Sequence, residues 1–276
     1  MEQVVPGVYR SIVPSHTLAP YTATNCYWVG GRRQVVLIDA GDGDEPGRTV
    51  LEADWRDLGS PEVVAIFATH RHGDHTGGAA WAHQRFGAPL YLQNRDLTPA
   101  LAEQAPWQHF SDRDFRVEGM ILNVLEAPGH TPGQWNFYLP ETRGLIAGDN
   151  VLGNTTAVVA PPEGHLGDYL ATLDRLLAMQ PAWIGPGHGD LIVDGATRIQ
   201  TYLDHRRERI AQLLAMLRQG PQTVHSLAEE LYPPAQRAAG EWMVRSHLQF
   251  FEQQGWVQAR DEEFWIAKDG LDDFSR

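Results

Sequence analysis

Residues 63–75, which read VVAIFATHRHGDH, combine a buried-strand pattern with a dense group of metal-binding side chains. The first six residues, 63–68, are apolar at both odd and even positions. This is typical of a β-strand buried on both faces. Histidine and aspartate follow directly where the strand ends. Because an α/β scaffold presents its binding groups on such a rim, the stretch indicates a functional site there.

The four ligand-type residues after this strand can reach one point. In extended backbone, His70 and His72 project to the same side. Gly73 permits a sharp turn, which folds Asp74 and His75 back toward them. Four metal-ligand side chains therefore fall within six residues.

Three further ligand-type residues follow later predicted strands, each beside a glycine. They are His130 after strand 120–127, Asp149 after strand 144–147 and His188 after strand 182–184. Five imidazoles and two carboxylates exceed what one tetrahedral ion needs, so the set predicts two metals. Nitrogen and oxygen ligands without sulfur suit zinc, with iron or manganese as alternatives. Two such ions about 3.5–4 Å apart clamp a bridging water and make hydroxide available at neutral pH.

Other polar residues are assigned more ordinary roles. Asp39 ends a predicted strand before Gly41, and we expect it to hydrogen-bond a ligand histidine. Cys26 lies within a predicted strand and is expected to be a core residue. The remaining histidines lack ligand-like neighbours in the sequence and are expected to be solvated or structural; they are His16, His83, His109, His165, His205, His225 and His247.

Composition excludes several classes of protein. The 276 residues are 42% hydrophobic and 21% charged, which predicts a globular fold. A net charge of −13 disfavours nucleic acid and anionic membranes as partners. The single cysteine excludes a disulfide framework within the chain and a thiolate zinc cluster. No signal peptide is apparent and no apolar run approaches about 18 residues, so we expect a cytoplasmic protein with no membrane partner.

The chain divides into two predicted parts. Mixed strands and helices over residues 1–194 indicate a layered α/β domain. Residues 195–276 predict a small appended domain of three helices and a hairpin, with a frayed tail from Asp269. The helices are predicted over 196–219, 223–231 and 236–254.

The run His70-x-His72-x-Asp74-His75, with the later His130, Asp149 and His188, resembles the metallo-β-lactamase superfamily over residues 1 to about 194. The resemblance implies an αββα sandwich with a dinuclear site on one edge. It implies a first metal on His70, His72 and His130, a second on Asp74, His75 and His188, and Asp149 as the bridge. Asp74 and Asp149 would be the catalytic carboxylates. Without a cysteine ligand, the chain looks like the hydrolase branch that includes glyoxalase II, lactonases and RNA-processing nucleases.

A narrower resemblance covers the whole chain. Segments 148–156, 169–173 and 185–189, with a long helix carrying His205-Arg206, are similar to the β-lactamase-like-protein-2 group. That group ends in a winged-helix-like domain. Its better-known animal members cleave single-stranded RNA, and related fungal proteins are thioesterases that act on carrier-tethered polyketides.

The leading hypothesis is therefore a dinuclear zinc hydrolase whose bridging hydroxide attacks a thioester, ester or lactone. The alternative is a single-strand RNA endonuclease with the same site. Residues 1–194 hold 12 cations and 23 acids, and residues 195–276 hold 10 and 12, so neither part has a basic excess. The only cationic cluster, residues 205–209, is explained about as well by a solvated helix face.

Two other classes stay open at this point. An iron-dependent persulfide dioxygenase would use the same motif with one metal. A nucleic-acid-binding protein with a vestigial site is disfavoured by the seven intact ligand positions. The appended domain is expected to form a homodimer contact or to shape the substrate entrance.

Overall fold

The computed structural model describes residues 1–267, and the tail predicted to fray from Asp269 lies outside them. The first sheet has seven strands in chain order. They are β1 Glu2–Val5, β2 Val8–Pro14, β3 Ala23–Gly30, β4 Gln34–Ile38, β5 Glu62–Phe67, β6 Leu90–Tyr91 and β7 Trp107–Gln108. Strands β1 to β4 pair antiparallel, and strands β4 to β7 pair parallel, so β4 has one neighbour of each kind.

A second sheet has five strands in the order β12-β11-β10-β9-β8. Only β11 and β12 pair parallel. Its members are β8 Asp114–Val117, β9 Met120–Glu126, β10 Trp135–Leu139, β11 Gly144–Gly148 and β12 Trp183–Pro186.

Residues 1–267 also form eight α-helices and a small third sheet. The helices are α1 Glu45–Asp57, α2 Gly73–Thr76, α3 Ala79–Phe86, α4 Pro99–Gln104, α5 Leu166–Ala178, α6 Gly195–Leu217, α7 Val224–Leu231 and α8 Arg237–Gln253. The third sheet holds β13 Gln222–Thr223, β14 Val257–Arg260 and β15 Glu263–Ile266. None of the helices within residues 1–267 is long and apolar enough to cross a membrane.

The two large sheets pack face to face between helical layers. Phe67 of β5 contacts Phe137 of β10 and Phe115 of β8 across the interface. Helices α1 and α3 cover the outer face of the first sheet, and α5 with α6 covers the second. The αββα sandwich is therefore confirmed.

Strand β5 is buried on both faces, as its apolar run predicts. Ile66 packs toward the outer helices and Phe67 packs between the sheets. The sharp turn expected at Gly73 is the one-turn helix α2, which begins at that glycine. Because the turn is helical, it carries Asp74 and His75 back over the end of β5.

Helix α6 belongs to two cores. Its first half packs Ile199 and Leu203 against α5 and the second sheet. Its second half packs Leu213 with α7 and α8 in a separate cluster that includes Phe251. The order from α6 onward is helix, strand, helix, helix, strand, strand, which agrees with the predicted three helices and hairpin and adds the short strand β13. The winged-helix assignment and the boundary after residue 194 stay predictions.

Candidate metal centre

All seven predicted ligand residues meet at one edge of the sandwich. His70 and His72 follow β5, and Asp74 and His75 lie on α2. His130 lies between β9 and β10, Asp149 follows β11, and His188 follows β12. Backbone hydrogen bonds join the two sheets at this edge, from Trp135 N to Thr69 O (2.7 Å) and from Asn25 N to Gly187 O (2.7 Å).

Three histidines form a first group. His72 Nδ1 lies 2.9 Å from His70 Nε2 and 3.1 Å from His130 Nε2. The other ring nitrogen of each points outward to a protein oxygen. His72 Nε2 lies 2.9 Å from Glu163 Oε2, and His130 Nδ1 lies 2.6 Å from the carbonyl oxygen of Val158.

The outward partners determine which nitrogens carry protons. A carboxylate and a carbonyl only accept, so His72 Nε2 and His130 Nδ1 donate. The Thr69 hydroxyl donates to Asp39 Oδ2 at 2.9 Å and therefore accepts from His70 Nδ1 at 3.0 Å. In neutral imidazoles the three inward nitrogens then hold only lone pairs, which cannot hydrogen-bond one another. Three converging lone pairs fit a cation.

A second group consists of His75, His188 and Asp74. The two imidazole Nε2 atoms are 3.3 Å apart, and Asp74 Oδ2 lies 3.3 Å from His188 Nε2. The outward nitrogens again have acceptors, since His75 Nδ1 donates to Asp39 Oδ2 and His188 Nδ1 donates to Ala23 O, each at 2.8 Å. This group therefore presents two nitrogens and a carboxylate oxygen to one point.

Asp149 lies between the two groups. Its Oδ2 is 3.8 Å from His130 Nε2 and 3.4 Å from His188 Nε2, and its Oδ1 is 3.4 Å from His75 Nε2. Oδ1 is buried and has no hydrogen-bond partner. A Cβ at Gly187 would lie 2.2 Å from this oxygen, so glycine is needed for the approach. The seven residues thus fit a pair of divalent ions that share one carboxylate.

The pKa shifts within the ligand cluster differ from residue to residue. Burial lowers the pKa of His70 well below its usual value, and the neighbouring His75 and His72 add to this. Burial also opposes charge on His188, but the Asp149 and Asp74 carboxylates outweigh it and raise that pKa to about 9. Burial would raise the pKa of Asp149, yet His75 and His188 hold it well below the usual range. His70 therefore favours the neutral imidazole, whereas at His188 and Asp149 the carboxylate charge is balanced by imidazolium charge.

Asp39 makes the hydrogen bond expected of it. The residue follows β4 in a left-handed conformation (φ 62°) and is 2% exposed. Besides His75 and the Thr69 hydroxyl, it accepts the Thr69 backbone N–H at 2.7 Å. One carboxylate thus orients a residue of the second group directly and His70 through Thr69.

Glu163 is a further residue at the site, and the sequence does not predict it. It lies 91 positions from His72 on the loop before α5, and no local motif marks it. Its other oxygen is 3.6 Å from Arg71 Nη1, and Arg71 also pairs with buried Asp96. Only the tertiary fold brings this carboxylate to the candidate ligand.

Helix α6 supports the loop that carries Glu163 and Val158. Arg198 Nη2 donates to the carbonyl oxygens of residues 152, 153 and 155, and the Tyr202 hydroxyl also donates to the last of these. Arg206 Nη2 donates to Ala157 O at 2.5 Å. The spacing of four residues puts all three donors on one face of α6.

Residues 205–209 are not a uniformly solvated helix face, which was one of the two explanations that the sequence left open. Arg206 is 2% exposed and lies over the Tyr169 ring, 5.4 Å from its centroid. Arg207 is exposed and lies 3.5 Å from Asp174. The cluster includes a buried structural cation, which periodicity alone did not reveal.

One of the other histidines departs from expectation. His16 Nδ1 lies 2.9 Å from Asp42 Oδ2 and 3.4 Å from Asp44 Oδ2, so it has the ligand-type neighbours that the sequence did not show. By contrast, His165 accepts from Asp168 N at the start of α5, and His247 is buried in α8 with Nδ1 against Met243 O. Both are structural. Cys26 is fully buried, as predicted.

A cleft of about 1380 Å³ opens over the cluster. His72, Asp74, His130, Asp149 and His188 contribute to its floor. Its walls come from the loop before β3, the loop before α5, and the first half of α8. Both predicted parts of the chain therefore contribute residues to the lining of the cleft.

Comparisons with known proteins agree with this architecture. An atrochrysone carboxyl ACP thioesterase from Claviceps purpurea is 30% identical over 238 residues, covering 84% of this chain and 74% of the relative. A beta-lactamase-like protein 2 homolog from Drosophila melanogaster is 28% identical over 274 residues, covering 88% of each. The crystal structure of a metallo-beta-lactamase family protein from Thermus thermophilus is 26% identical with a TM-score of 0.79, covering 96% of this chain and 100% of that one.

The family model of the metallo-beta-lactamase superfamily matches residues 19–188, which include all seven candidate ligands. The match, the sandwich and the relatives point to the same conclusion: the chain belongs to the metallo-beta-lactamase superfamily, as a hydrolase.

Proposed function

We propose that the protein is a dinuclear zinc-dependent hydrolase that acts on a thioester, ester or lactone. The observation that carries this proposal is Asp149, whose carboxylate lies between two separate groups of converging ligand atoms. His70, His72 and His130 would hold one ion, and Asp74, His75 and His188 the other. When bound, such ions supply Lewis acidity and a hydroxide nucleophile at neutral pH.

The chain's own residues do the positioning. Asp74 and Asp149 contribute the negative charge that two divalent ions need in a buried site. Outward hydrogen bonds fix the ring orientation of each histidine, through Asp39, Glu163 and backbone or hydroxyl oxygens. Thioesters suit such a site because a thiol of pKa about 8.5 departs as the thiolate without a proton donor.

The charge of the cleft favours an acyl substrate over RNA. Arg71 is the only arginine or lysine lining it among residues 1–267, and Arg71 is engaged by Asp96 and Glu163. Asp42 and Asp44 add negative charge at the rim. RNA binding requires several free cations against phosphates, so this lining disfavours a polyanion.

The thioesterase named among the relatives supports the same class of substrate. We propose a small-molecule or carrier-tethered acyl thioester as the partner of this site. Zinc is the proposed metal because histidine and carboxylate ligands suit it, with iron or manganese as alternatives. A cytoplasmic location is part of the proposal.

The first test measures metal content and substrate class together. We expect two zinc ions per chain after zinc-supplemented expression, hydrolysis of S-acetyl-N-acetylcysteamine, and little cleavage of single-stranded RNA at low salt. Asp149→Ala should lose the hydrolysis, and Asp57→Ala, an exposed aspartate on α1, should retain it.

Two outcomes would overturn the proposal. Salt-sensitive RNA cleavage that is lost in Asp149→Ala, without thioester or ester hydrolysis, would establish the nuclease alternative. A single iron per chain with oxygen consumption on a persulfide would establish the dioxygenase.

A further inference from the structure

The apolar side chains that face solvent are concentrated in the cleft. Among residues 1–267, six large hydrophobic side chains are exposed. Three of them line the cleft: Leu18 (69% exposed), Trp242 (62%) and Val158 (38%). They come from three separate segments, so the tertiary fold assembles this patch. Apolar groups that are exposed together around a cavity mark a binding surface.

Aromatic rings line the cleft both beside the candidate ligands and on the side of α8. The Tyr21 ring stacks on the His188 imidazole, with centroids 5.3 Å apart and planes inclined by 21°. At the far wall, Tyr232 and Trp242 line the same cleft. The apolar patch and the candidate ligands therefore line one cleft.

The α8 wall is built to be uncharged and closely packed. Its lining residues are Gln236, Ala239, Gly240, Trp242 and Met243. A Cβ at Gly240 would lie 2.5 Å from the Tyr232 ring, so glycine lets that ring lie against the helix. The Arg209 guanidinium covers Tyr232, 4.8 Å from the ring centroid. None of the five residues that this wall presents to the cleft is charged, so a flat apolar group meets no charged side chain among them.

We propose that Trp242 on α8 is a specificity-determining residue that binds a bulky aromatic acyl group of the substrate. This inference rests on the proposed function, because it assigns the acyl part of a thioester whose carbonyl lies at the ligand cluster. Trp242 offers a largely exposed indole ring in the cleft, and contacts between aromatic rings add to the free energy gained by burying apolar area. The appended C-terminal helices thereby select the substrate, while the sandwich performs the hydrolysis.

The test compares two thioesters that differ only in the acyl group. They are S-(2-naphthoyl)-N-acetylcysteamine and S-acetyl-N-acetylcysteamine, assayed with the full-length, metal-loaded enzyme. For Trp242→Ala we expect KM for the naphthoyl thioester to rise about tenfold, which corresponds to about 1.4 kcal/mol. The KM and kcat for the acetyl thioester should stay within twofold.

Two further variants serve as controls. Trp242→Phe keeps a ring and should recover most of the naphthoyl KM. Val193→Ala removes an apolar side chain that is 89% exposed but lies outside the cleft, and it should change neither substrate's kinetics.

A binding measurement separates this inference from the proposed activity. The probe is the naphthoyl amide analogue of the thioester, which is not hydrolysed, titrated by calorimetry. Wild type should bind it, and Trp242→Ala should bind it about tenfold more weakly. Amide binding that depends on Trp242, without thioester hydrolysis, would overturn the activity and keep the binding site. Hydrolysis with no effect of Trp242→Ala on the naphthoyl KM or amide binding, or no amide binding by wild type, would overturn the inference.

Discussion

Removing the Glu163 side chain should weaken binding of one metal ion without unfolding the protein. Glu163 Oε2 accepts a 2.9 Å hydrogen bond from His72 Nε2 and leaves His72 Nδ1 as the free ligand nitrogen. In Glu163→Ala the imidazole loses its orienting carboxylate. The His72 ring can then adopt either tautomer and more than one orientation, whereas the wild-type hydrogen bond fixes both.

The expected size of the effect follows from the exposure of the pair. Loss of a partner behind a ligating histidine typically costs 10- to 100-fold in metal affinity. The Glu163 side chain is 39% exposed, so water replaces part of the lost interaction. We therefore expect the metal affinity to fall by about tenfold, at the lower end of this range. The surface pair with Arg71 contributes at most about 1 kcal/mol to folding.

The assay titrates Zn²⁺ against a chelating dye to obtain two dissociation constants, and urea unfolding of the metal-free protein runs in parallel. One dissociation constant should rise about tenfold in Glu163→Ala, with the free energy of unfolding within about 1 kcal/mol of wild type. Glu163→Gln keeps an oxygen that accepts from His72 and should change affinity less than threefold. Glu103→Ala, an exposed glutamate on α4, is the matched control.

Unchanged zinc affinity in Glu163→Ala would refute the positioning role. An equal loss in Glu103→Ala would attribute the effect to net charge instead. Weaker binding with a large loss of metal-free stability would make Glu163 a structural residue of the loop.

Three further predictions concern activity and stability. Asp149→Ala should reduce hydrolysis more than His188→Ala at equal metal loading, because one carboxylate serves both groups; the reverse order in steady-state assays would exclude a shared bridge. Burial lowers the pKa of His247 to about 3. The unfolded chain therefore binds this proton first as pH falls below about 6.5, and this histidine by itself should cost the wild type about 2 kcal/mol of folding free energy between pH 7 and 5. Urea unfolding of His247→Leu should lack this loss, and an identical pH profile would contradict it. Arg206→Met should destabilise by about 1–3 kcal/mol because it leaves Ala157 O unpaired. Substitution of its exposed neighbour, Arg207→Met, should cost under about 1 kcal/mol. Equal losses of stability in the two variants, measured by thermal unfolding, would contradict the role of Arg206 in holding the loop.

Local patterns were sufficient for most elements of the sandwich. Strands β5 and β11 differ from the predicted ranges 63–68 and 144–147 by one residue at one or both ends, and β4 ends directly before Asp39, as predicted. These strands are continuous apolar runs, and turn-forming residues follow β4 at Asp39 and β11 at Gly148-Asp149, so burial and turn chemistry agree there. The two-residue strands β6 and β7 were not predicted, because so short a segment has no periodicity. Strand β6 pairs with the edge of β5, and β7 pairs with β6, so each depends on a partner that is distant in sequence.

The sequence by itself determined which ligand types exist and where strands end. Histidine and aspartate spacing at His70, His72, Asp74 and His75 places four ligands through local backbone geometry alone. Contacts between distant segments bring these four ligands together with Asp149. The same kind of contact supplies the oxygen that accepts a hydrogen bond from the outward nitrogen of most of the imidazoles.

The tertiary structure alone decided what surrounds those ligands. Glu163 reaches His72 from 91 positions away, and Arg206 is buried because its helix face meets a loop from the other part of the chain. Trp242 enters the cleft because α8 packs beside it. Folding brings these side chains together from distant parts of the chain. Because the residues around each one do not depend on its partner, spacing and periodicity cannot predict the contact.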